Sequence, residues 1–401
     1  MGIFFAPADL AARAPGSGTA VFAITALALM PVALAFAVLG GRFDEDGGPV
    51  VFARDAFGRV AAFVVGWIAY VSAIASAAAV IVGLTTAAGP VVGIEGPMAV
   101  RVAATVLAAI LALLCARGLR LSARTWTALT ALKLVPLLAL AIAFLVSPGV
   151  PAAASAVVSP RAIEPSLAAA ALIATFAFQG FEIVPVMAGQ AQRPSVSVPL
   201  ATIGSLVVAA LLYIVLQAAC AAALPDLAGS RAPLVDAAMV HGGSGLAAFV
   251  GAGTSISALG IAFAMMAATP FYLRALARVD GLGLRIETVD ERGVPSRALL
   301  ITWALVTLLI QAGGRGELFA LSSIAVLSQY LVTAAALLAL ALRRQRGLTT
   351  RHAILAVPAG IVAMAIAAGA SPREAMVAAA ALVAGLIIRA ALHRARVTAS
   401  E

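Results

Sequence analysis

Charged residues, cysteine, histidine and lysine are all scarce in this chain. Of its 401 residues only 11% are charged, whereas 63% are hydrophobic, and the mean hydropathy is +1.09. Soluble domains are about 25% charged and roughly 45–50% apolar, so this chain has too little polar surface to cover a water-soluble globule of its size. The composition excludes most cytosolic enzymes, nucleic-acid-binding proteins and disordered scaffolds. It favours a polytopic membrane protein whose apolar surface faces lipid.

The few cysteines and histidines do not form a pattern typical of metal or redox chemistry. Cys115 and Cys220 lie in long apolar runs, so they predict neither a disulfide framework nor a metal cluster. The three histidines, His241, His352 and His393, lie in or near predicted loops. A multi-histidine metal site or a haem site is therefore not expected, and we predict neither a metal ion nor a cofactor.

Long apolar runs dominate the rest of the sequence, and a helix needs about 20 such residues to cross the hydrocarbon core. Continuous runs are typical of spanning helices rather than of alternating barrel strands. An apolar opening at roughly 1–12 is too short to cross. Charge, glycine or proline bounds each full-length candidate, and the candidates lie at about 18–40, 61–88, 98–116, 125–146, 167–190, 198–223, 246–275, 296–313, 317–342, 352–369 and 375–392.

The distribution of arginine predicts the orientation of these spans. If the loop at 41–60 is cytoplasmic, 19 arginines lie inside and 6 lie outside, and such a bias marks the cytoplasmic side. The net charge of +9 then needs no nucleic-acid partner, because cytoplasmic arginines account for it. We predict a multi-pass protein of the cell (inner) membrane with a cytoplasmic C-terminus.

Lys133 is the single lysine of the chain, and it lies in the middle of the predicted span 125–146. A cation at mid-membrane costs at least about 2.5–3.5 kcal/mol on insertion scales. Three interpretations remain open: snorkelling to an interface, a cation held in a protein-lined cavity, and a purely structural hydrogen-bonding role. We favour the cavity, because Lys133 is too far from either end of the span for an easy reach to water.

A second polar cluster interrupts the predicted span 167–190. Gly180 loosens the helix, while Gln179 and Glu182 add polarity where lipid would penalise it. Broken helices at membrane depth are tolerated only where they line a cavity or pack on protein, so the segment predicts a binding site. Ordinary helix packing remains the alternative for its three phenylalanines, Phe176, Phe178 and Phe181.

The opening Gly2-Ile3-Phe4 echoes Gly180-Phe181-Glu182 about half a chain later. Two interrupted segments at corresponding places in two halves indicate the binding site of an inverted-repeat transporter. By itself the echo is a weak signal, because glycine beside an aromatic residue is common.

Several longer stretches resemble the amino acid–polyamine–organocation superfamily of permeases, over nearly the whole chain. The segment 176–182 with the tail 188–199 resembles the family's sixth helix, and 40–58 resembles the loop between its helices two and three. The stretch 122–134 resembles its fifth helix, and Gly2-Ile3-Phe4 resembles the end of the break in helix one.

The resemblance implies an all-α integral membrane protein with the LeuT-like inverted-repeat transporter fold. We expect one transmembrane domain, 1–401, with 11 full spans plus a short first half-helix, against the family pattern of 12. The first repeat is 1–146, with helix one incomplete, the second is 161–343, and two additional helices occupy 352–393. The family has a half-helix before the Gly-Ile-Phe. We favour a start codon placed too far downstream over a truncated protein.

The resemblance also implies which residues bind the substrate and which couple transport to protons or to exchange. The substrate carboxylate would meet backbone N–H groups at the helix-one break and its ammonium would meet carbonyls at the helix-six break; the matching positions are Gly2, Ile3, Phe4, Phe176, Ala177, Phe178, Gln179, Gly180 and Phe181. Lys133 matches a lysine that stands where sodium sits in sodium-coupled relatives. Glu182 matches a carboxylate linked to proton sensing, and Ser255 and Ser257 are possible oxygen partners of the lysine, although ordinary interhelical hydrogen bonding explains them equally well.

The function that follows is secondary active transport of amino acids, sodium-independent and proton-linked or exchanging. We expect neutral, apolar or small amino acids rather than polyamines, and no enzymatic activity. Two alternatives stay open: an exporter or antiporter of amino acids or amines, and a truncated, non-transporting paralogue or sensor. A membrane-embedded enzyme is disfavoured, because no cluster of His, Asp and Glu within the spans fits hydrolytic or metal chemistry.

Overall fold

The computed structural model describes residues 2–43, 45, 47–118, 123–146, 167–280 and 285–400, and within these ranges its regular structure is entirely helical. Short 3₁₀ segments occur at Gly2–Phe4, Gly89–Val92, Phe181–Gln190 and Leu227–Gly229. The α-helices are α1 (Ala6–Arg13), α2 (Gly18–Gly40), α3 (Pro49–Phe57), α4 (Arg59–Ala88), α5 (Pro97–Ala116), α6 (Ala123–Val146), α7 (Leu167–Phe178), α8 (Pro194–Ala223), α9 (Pro233–Asp280), α10 (Ser296–Ala312), α11 (Arg315–Leu342), α12 (Thr350–Ala367) and α13 (Pro372–Ser400). The element α9 is kinked at Gly243, whose φ of 72° and ψ of −169° are not helical.

Eight of the described helices are long and apolar enough to cross a membrane: α2, α4, α5, α8, α9, α11, α12 and α13. The other three predicted spans coincide with α6, α7 and α10, where the described apolar stretches are shorter, at Leu134–Val146, Leu167–Phe178 and Ser296–Ala312. The structure therefore supports a multi-pass helical membrane protein. The count of 11 full spans and the division into two inverted repeats stay predictions.

Burial differs sharply between the spanning helices. In α4, 83% of the most apolar window is buried, whereas in α13 the figure is 6%. The central helix α4 packs against α9 and α11, and α2 packs against α8 and α12. The most buried of the described spanning helices are thus α4, α11 and α2, and α13 lies at the periphery.

Trp67 of α4 makes a close contact with α13. The indole N–H of Trp67 donates a hydrogen bond to the carbonyl of Ala381, at 2.7 Å. Gly385 lies against the same ring, and a Cβ there would be 2.4 Å from it. The guanidinium of Arg389 also lies over the ring of Phe63, 5.6 Å from its centroid, so the close fit at Gly385 is one of several contacts that hold α13.

The predicted span 167–190 is interrupted where the sequence indicated. The helix α7 ends at Phe178, and a 3₁₀ segment begins at Phe181. Between them Gly180 has φ 134° and ψ −30°, a backbone conformation that only glycine adopts without strain. The chain thus loses its α-helical hydrogen-bond ladder inside the bundle.

The loop before α3 is joined to this interruption. The backbone N–H of Gly47 donates to the carbonyl of Val186, at 2.9 Å. At its other end α3 is held by an ion pair, in which both Nε and Nη2 of Arg346 donate to Oδ2 of Asp55, at 3.1 and 2.5 Å. This short helix therefore connects the 3₁₀ segment with the loop that follows α11.

Candidate functional site

A cavity of about 440 Å³ opens at the interruption after α7, and we call it the break cavity. Its walls come from α4, α9, α11 and the segment around Gly180, and the loop before α3 forms part of its rim. Its polar lining residues are Ser72, Ser76, Gln179, Glu182, Thr269, Tyr272 and Gln329. Among the described residues that line it there is no Lys, Arg, His or Asp, so Glu182 is its only carboxylate.

Four of the predicted site residues line the break cavity: Phe176, Gln179, Gly180 and Glu182. The ring of Phe176 stacks on that of Phe319, with centroids 4.1 Å apart and planes inclined by 27°. This stacking fixes the aromatic wall of the cavity. The end of α7 also leaves its last carbonyls without helical partners, and the negative end of the helix dipole favours a cation there.

The other predicted residues of this segment lie elsewhere. Phe178 packs on Phe22 and Tyr213, and Phe181 packs on Phe36 and Tyr330. Neither ring lines the break cavity, and Ala177 is buried without lining it. For these two phenylalanines the structure therefore favours the packing interpretation that the sequence left open.

Glu182 is buried, with 8% of its surface exposed. Its Oε2 accepts hydrogen bonds from the N–H of Gly180, at 2.8 Å, and from the hydroxyl of Tyr330, at 3.2 Å. A carboxylate two residues after the glycine thus closes the turn of the interrupted helix and ties it to α11. Any change in the charge of Glu182 would alter both bonds, so the residue can link protonation to the shape of the break.

Three serines that the sequence did not single out gather around Gln179. Ser72 and Ser76 lie one turn apart on α4, and Ser322 lies on α11. The hydroxyls of Ser76 and Ser322 are 2.6 Å apart, and that of Ser322 donates to Oε1 of Gln179, at 3.0 Å. The spacing of Ser72 and Ser76 was the available signal, but serine in a spanning helix more often bonds to a neighbouring helix without further function.

A second cavity, of about 450 Å³, lies beside α6, and we call it the α6 cavity. Ile3 and Phe4 line it together with Leu134, Leu137 and residues of α8 and α9. The structure thus places the predicted helix-one residues beside the helix that carries Lys133, and Gly2 begins the same 3₁₀ segment. Lys133 belongs to α6, but its side chain lies outside the described part of the chain.

The two serines predicted on α9 have different surroundings. Ser257 is 4% exposed and lines the α6 cavity, and its Oγ has no hydrogen-bond partner among the described residues. Ser255 is exposed and does not line that cavity. The structure therefore brings Ser257, but not Ser255, to the α6 cavity.

Comparison with known proteins places this architecture in a family. The model of the family described as amino acid permease matches residues 1–388. An uncharacterized transporter of Mycobacterium bovis is 30% identical over 349 residues, which are 86% of this chain and 77% of that protein, and uncharacterized transporters of two Mycobacterium tuberculosis strains match equally. Family membership implies a small-molecule substrate and a place in the membrane. The chain belongs to the amino acid permease family.

Proposed function

We propose that the protein is a secondary active transporter of amino acids in the inner membrane, with its C-terminus in the cytoplasm. The observation that carries this proposal is the interruption at Gly180, because it exposes polar backbone beside a cavity inside an apolar bundle. Backbone without helical hydrogen bonds is tolerated at membrane depth only where it lines a cavity or packs on protein. Membership of the amino acid permease family supports the substrate class.

The binding mode follows from the two interrupted segments. The ammonium of the substrate would bind the free carbonyls at the end of α7, around Phe176 and Phe178, where the helix dipole is negative. The carboxylate would bind backbone N–H groups of Gly2, Ile3 and Phe4, which precede the N-terminus of α1 and pack against α7. Side chains of α4, α9 and α11 would then surround the variable part of the amino acid.

The coupling that we propose is independent of sodium and linked to protons or to exchange. Lys133 would supply the positive charge that a sodium ion supplies in coupled relatives of this fold, and Ser257 would face it across the α6 cavity. Glu182 would respond to protonation, because its carboxylate holds the turn at Gly180 and bonds to Tyr330. Binding at the break and the state of α6 would thus shift the same conformational equilibrium.

Counterflow of labelled amino acids into proteoliposomes tests the proposal directly. Liposomes loaded with an unlabelled amino acid should accumulate the same labelled compound without any sodium gradient, and a pH gradient imposed separately should show whether protons move with it. Absence of counterflow for every proteinogenic amino acid would favour a non-transporting sensor. A reporter that is active only in the periplasm, fused after Glu401, should stay silent, and activity there would contradict the orientation.

A further inference from the structure

The carboxamide of Gln179 is held by hydroxyl groups from two other helices. Its Oε1 accepts from Ser322, at 3.0 Å, and from Ser76, at 3.4 Å. Ser72 supports the pair from one turn away, because its hydroxyl donates to the backbone carbonyl of Ser322, at 3.2 Å. The side chain therefore bridges from the break to α4 and α11, and its amide plane has a fixed direction.

The hydrogen-bond inventory of this cluster leaves one group unused. Each serine hydroxyl has a single proton, and the protons of Ser322 and Ser76 serve Oε1 of Gln179 or the contact between the two hydroxyls. The carboxamide nitrogen of Gln179 is buried, and it has no hydrogen-bond partner among the described residues. Leaving a buried donor unsatisfied costs about 1–3 kcal/mol, so this nitrogen calls for a partner that the described residues do not supply.

The surroundings of this donor limit the ligand. Gln179 lines the break cavity, whose described lining contains no cationic side chain and whose one carboxylate, Glu182, is already bonded to Gly180 and Tyr330. An acidic side chain would find no counter-charge here. Apolar surface from Ile261, Met265 and Val326 covers other parts of the wall.

We propose that Gln179 determines substrate specificity, and that its Nε2 donates to an acceptor oxygen on the side chain of a neutral polar amino acid. The proposal rests on the proposed function of amino acid transport. It sharpens the expectation of neutral substrates, because it selects side chains that carry a hydroxyl, ether or carboxamide oxygen over apolar ones of the same shape. Ser322 is a positioning residue, since it holds the carboxamide without lining the cavity itself.

Pairs of amino acids with equal shape test the proposal. Threonine and valine differ only in a hydroxyl and a methyl group, and O-methylserine and norvaline differ only in an ether oxygen and a methylene. The ether oxygen accepts hydrogen bonds but cannot donate them, so the second pair tests whether the protein supplies the hydrogen-bond donor. Apparent Kd values come from the thermal stabilisation of the purified protein by each compound.

We expect the wild-type protein to bind the oxygen-containing member of each pair about fivefold or more tightly, as one net hydrogen bond to a neutral group allows. Gln179→Met should abolish both preferences while norvaline still binds, which also shows that the variant is folded.

Gln179→Glu should reverse the preference for O-methylserine, because a carboxylate offers only acceptors. Ser322→Ala should weaken the preference without abolishing binding, and Gln345→Met, at an exposed loop position, should leave it unchanged.

Each result separates this proposal from the broader one. If amino acids bind but neither pair shows a preference, or if Gln179→Met retains it, the role of Gln179 is wrong while amino acid transport stands. A preference for threonine without one for O-methylserine would mean that the oxygen of the Gln179 carboxamide accepts a hydrogen bond from the substrate. That result would contradict the assignment of Nε2 as the donor. If no amino acid binds at all, both proposals fail.

Discussion

The break cavity and the α6 cavity have similar volumes, about 440 and 450 Å³, but different polar content. In the break cavity the polar groups are connected: Glu182 bonds to Gly180 and Tyr330, and Gln179 bonds to two serines. In the α6 cavity the lining is apolar except for Ser205, Tyr213 and Ser257, and the hydroxyl of Ser257 has no partner among the described residues. A connected set of polar groups suits recognition of a varied ligand, whereas an unpartnered hydroxyl suits a contact that forms in only one conformation.

The largest effect should come from removing the backbone conformation of the break. Gly180→Ala adds a Cβ that meets no atom within 4 Å. The variant therefore tests, without a steric clash, whether transport needs the φ of 134° at this position. A residue forced into such a region costs about 1–3 kcal/mol, and we expect counterflow to fall about tenfold or more with normal membrane insertion.

The matched control is Gly260→Ala on α9, at a position that lines neither cavity. Its Cβ also meets no atom within 4 Å, but its backbone is helical, so alanine should be neutral or slightly stabilising. Equal loss of counterflow in both variants would contradict a special role for the break. Gly180→Leu should be inactive for the same conformational reason.

Lys133→Ala should have the next largest effect. In the proposed coupling, loss of the cation would leave its polar partners unpaired at about 1–3 kcal/mol each, which is enough to shift a conformational equilibrium tenfold. We expect normal insertion and loss of most turnover, and only partial recovery in Lys133→Arg, because a planar guanidinium does not replace a compact ammonium. Counterflow with and without sodium measures both points, and a strict sodium requirement or a fully active alanine variant would refute the role.

The smallest effect should distinguish the two serines of α9. Ser257→Ala removes a buried hydroxyl from the α6 cavity, and we expect turnover to fall about twofold to tenfold, as the loss of one hydrogen bond made during the cycle predicts. Ser255→Ala, at an exposed position two residues away, should leave turnover unchanged. If the two variants behave alike, Ser257 is only a packing residue, and the α6 cavity loses its place in coupling.

The sequence was most informative where one residue type has one physical meaning. Gly180, with Gln179 before it and Glu182 two residues after it, predicted the interruption inside an apolar run, and a lone lysine in a span marked α6. The sequence was least informative where function depends on which face of one helix packs against which face of another. Ser255 and Ser257 point in directions that differ by about 200° around the helix axis. Residues that are close in sequence therefore do not line the same cavity here. The contact of Ser76 with Ser322 joins residues 246 positions apart, and only the packing of α4 on α11 brings them to Gln179.

The attachment of α13 has a consequence for how the protein is assembled. This helix buries little surface, and a side chain at position 385 would collide with the ring of Trp67, so its docking depends on a glycine at that position. Because the indole of Trp67 lies at that joint and bonds to Ala381, the emission of this tryptophan would report when the last helix is in place. The outer face of α13 is then free to vary with the composition of the surrounding lipid, while the position of Gly385 is not.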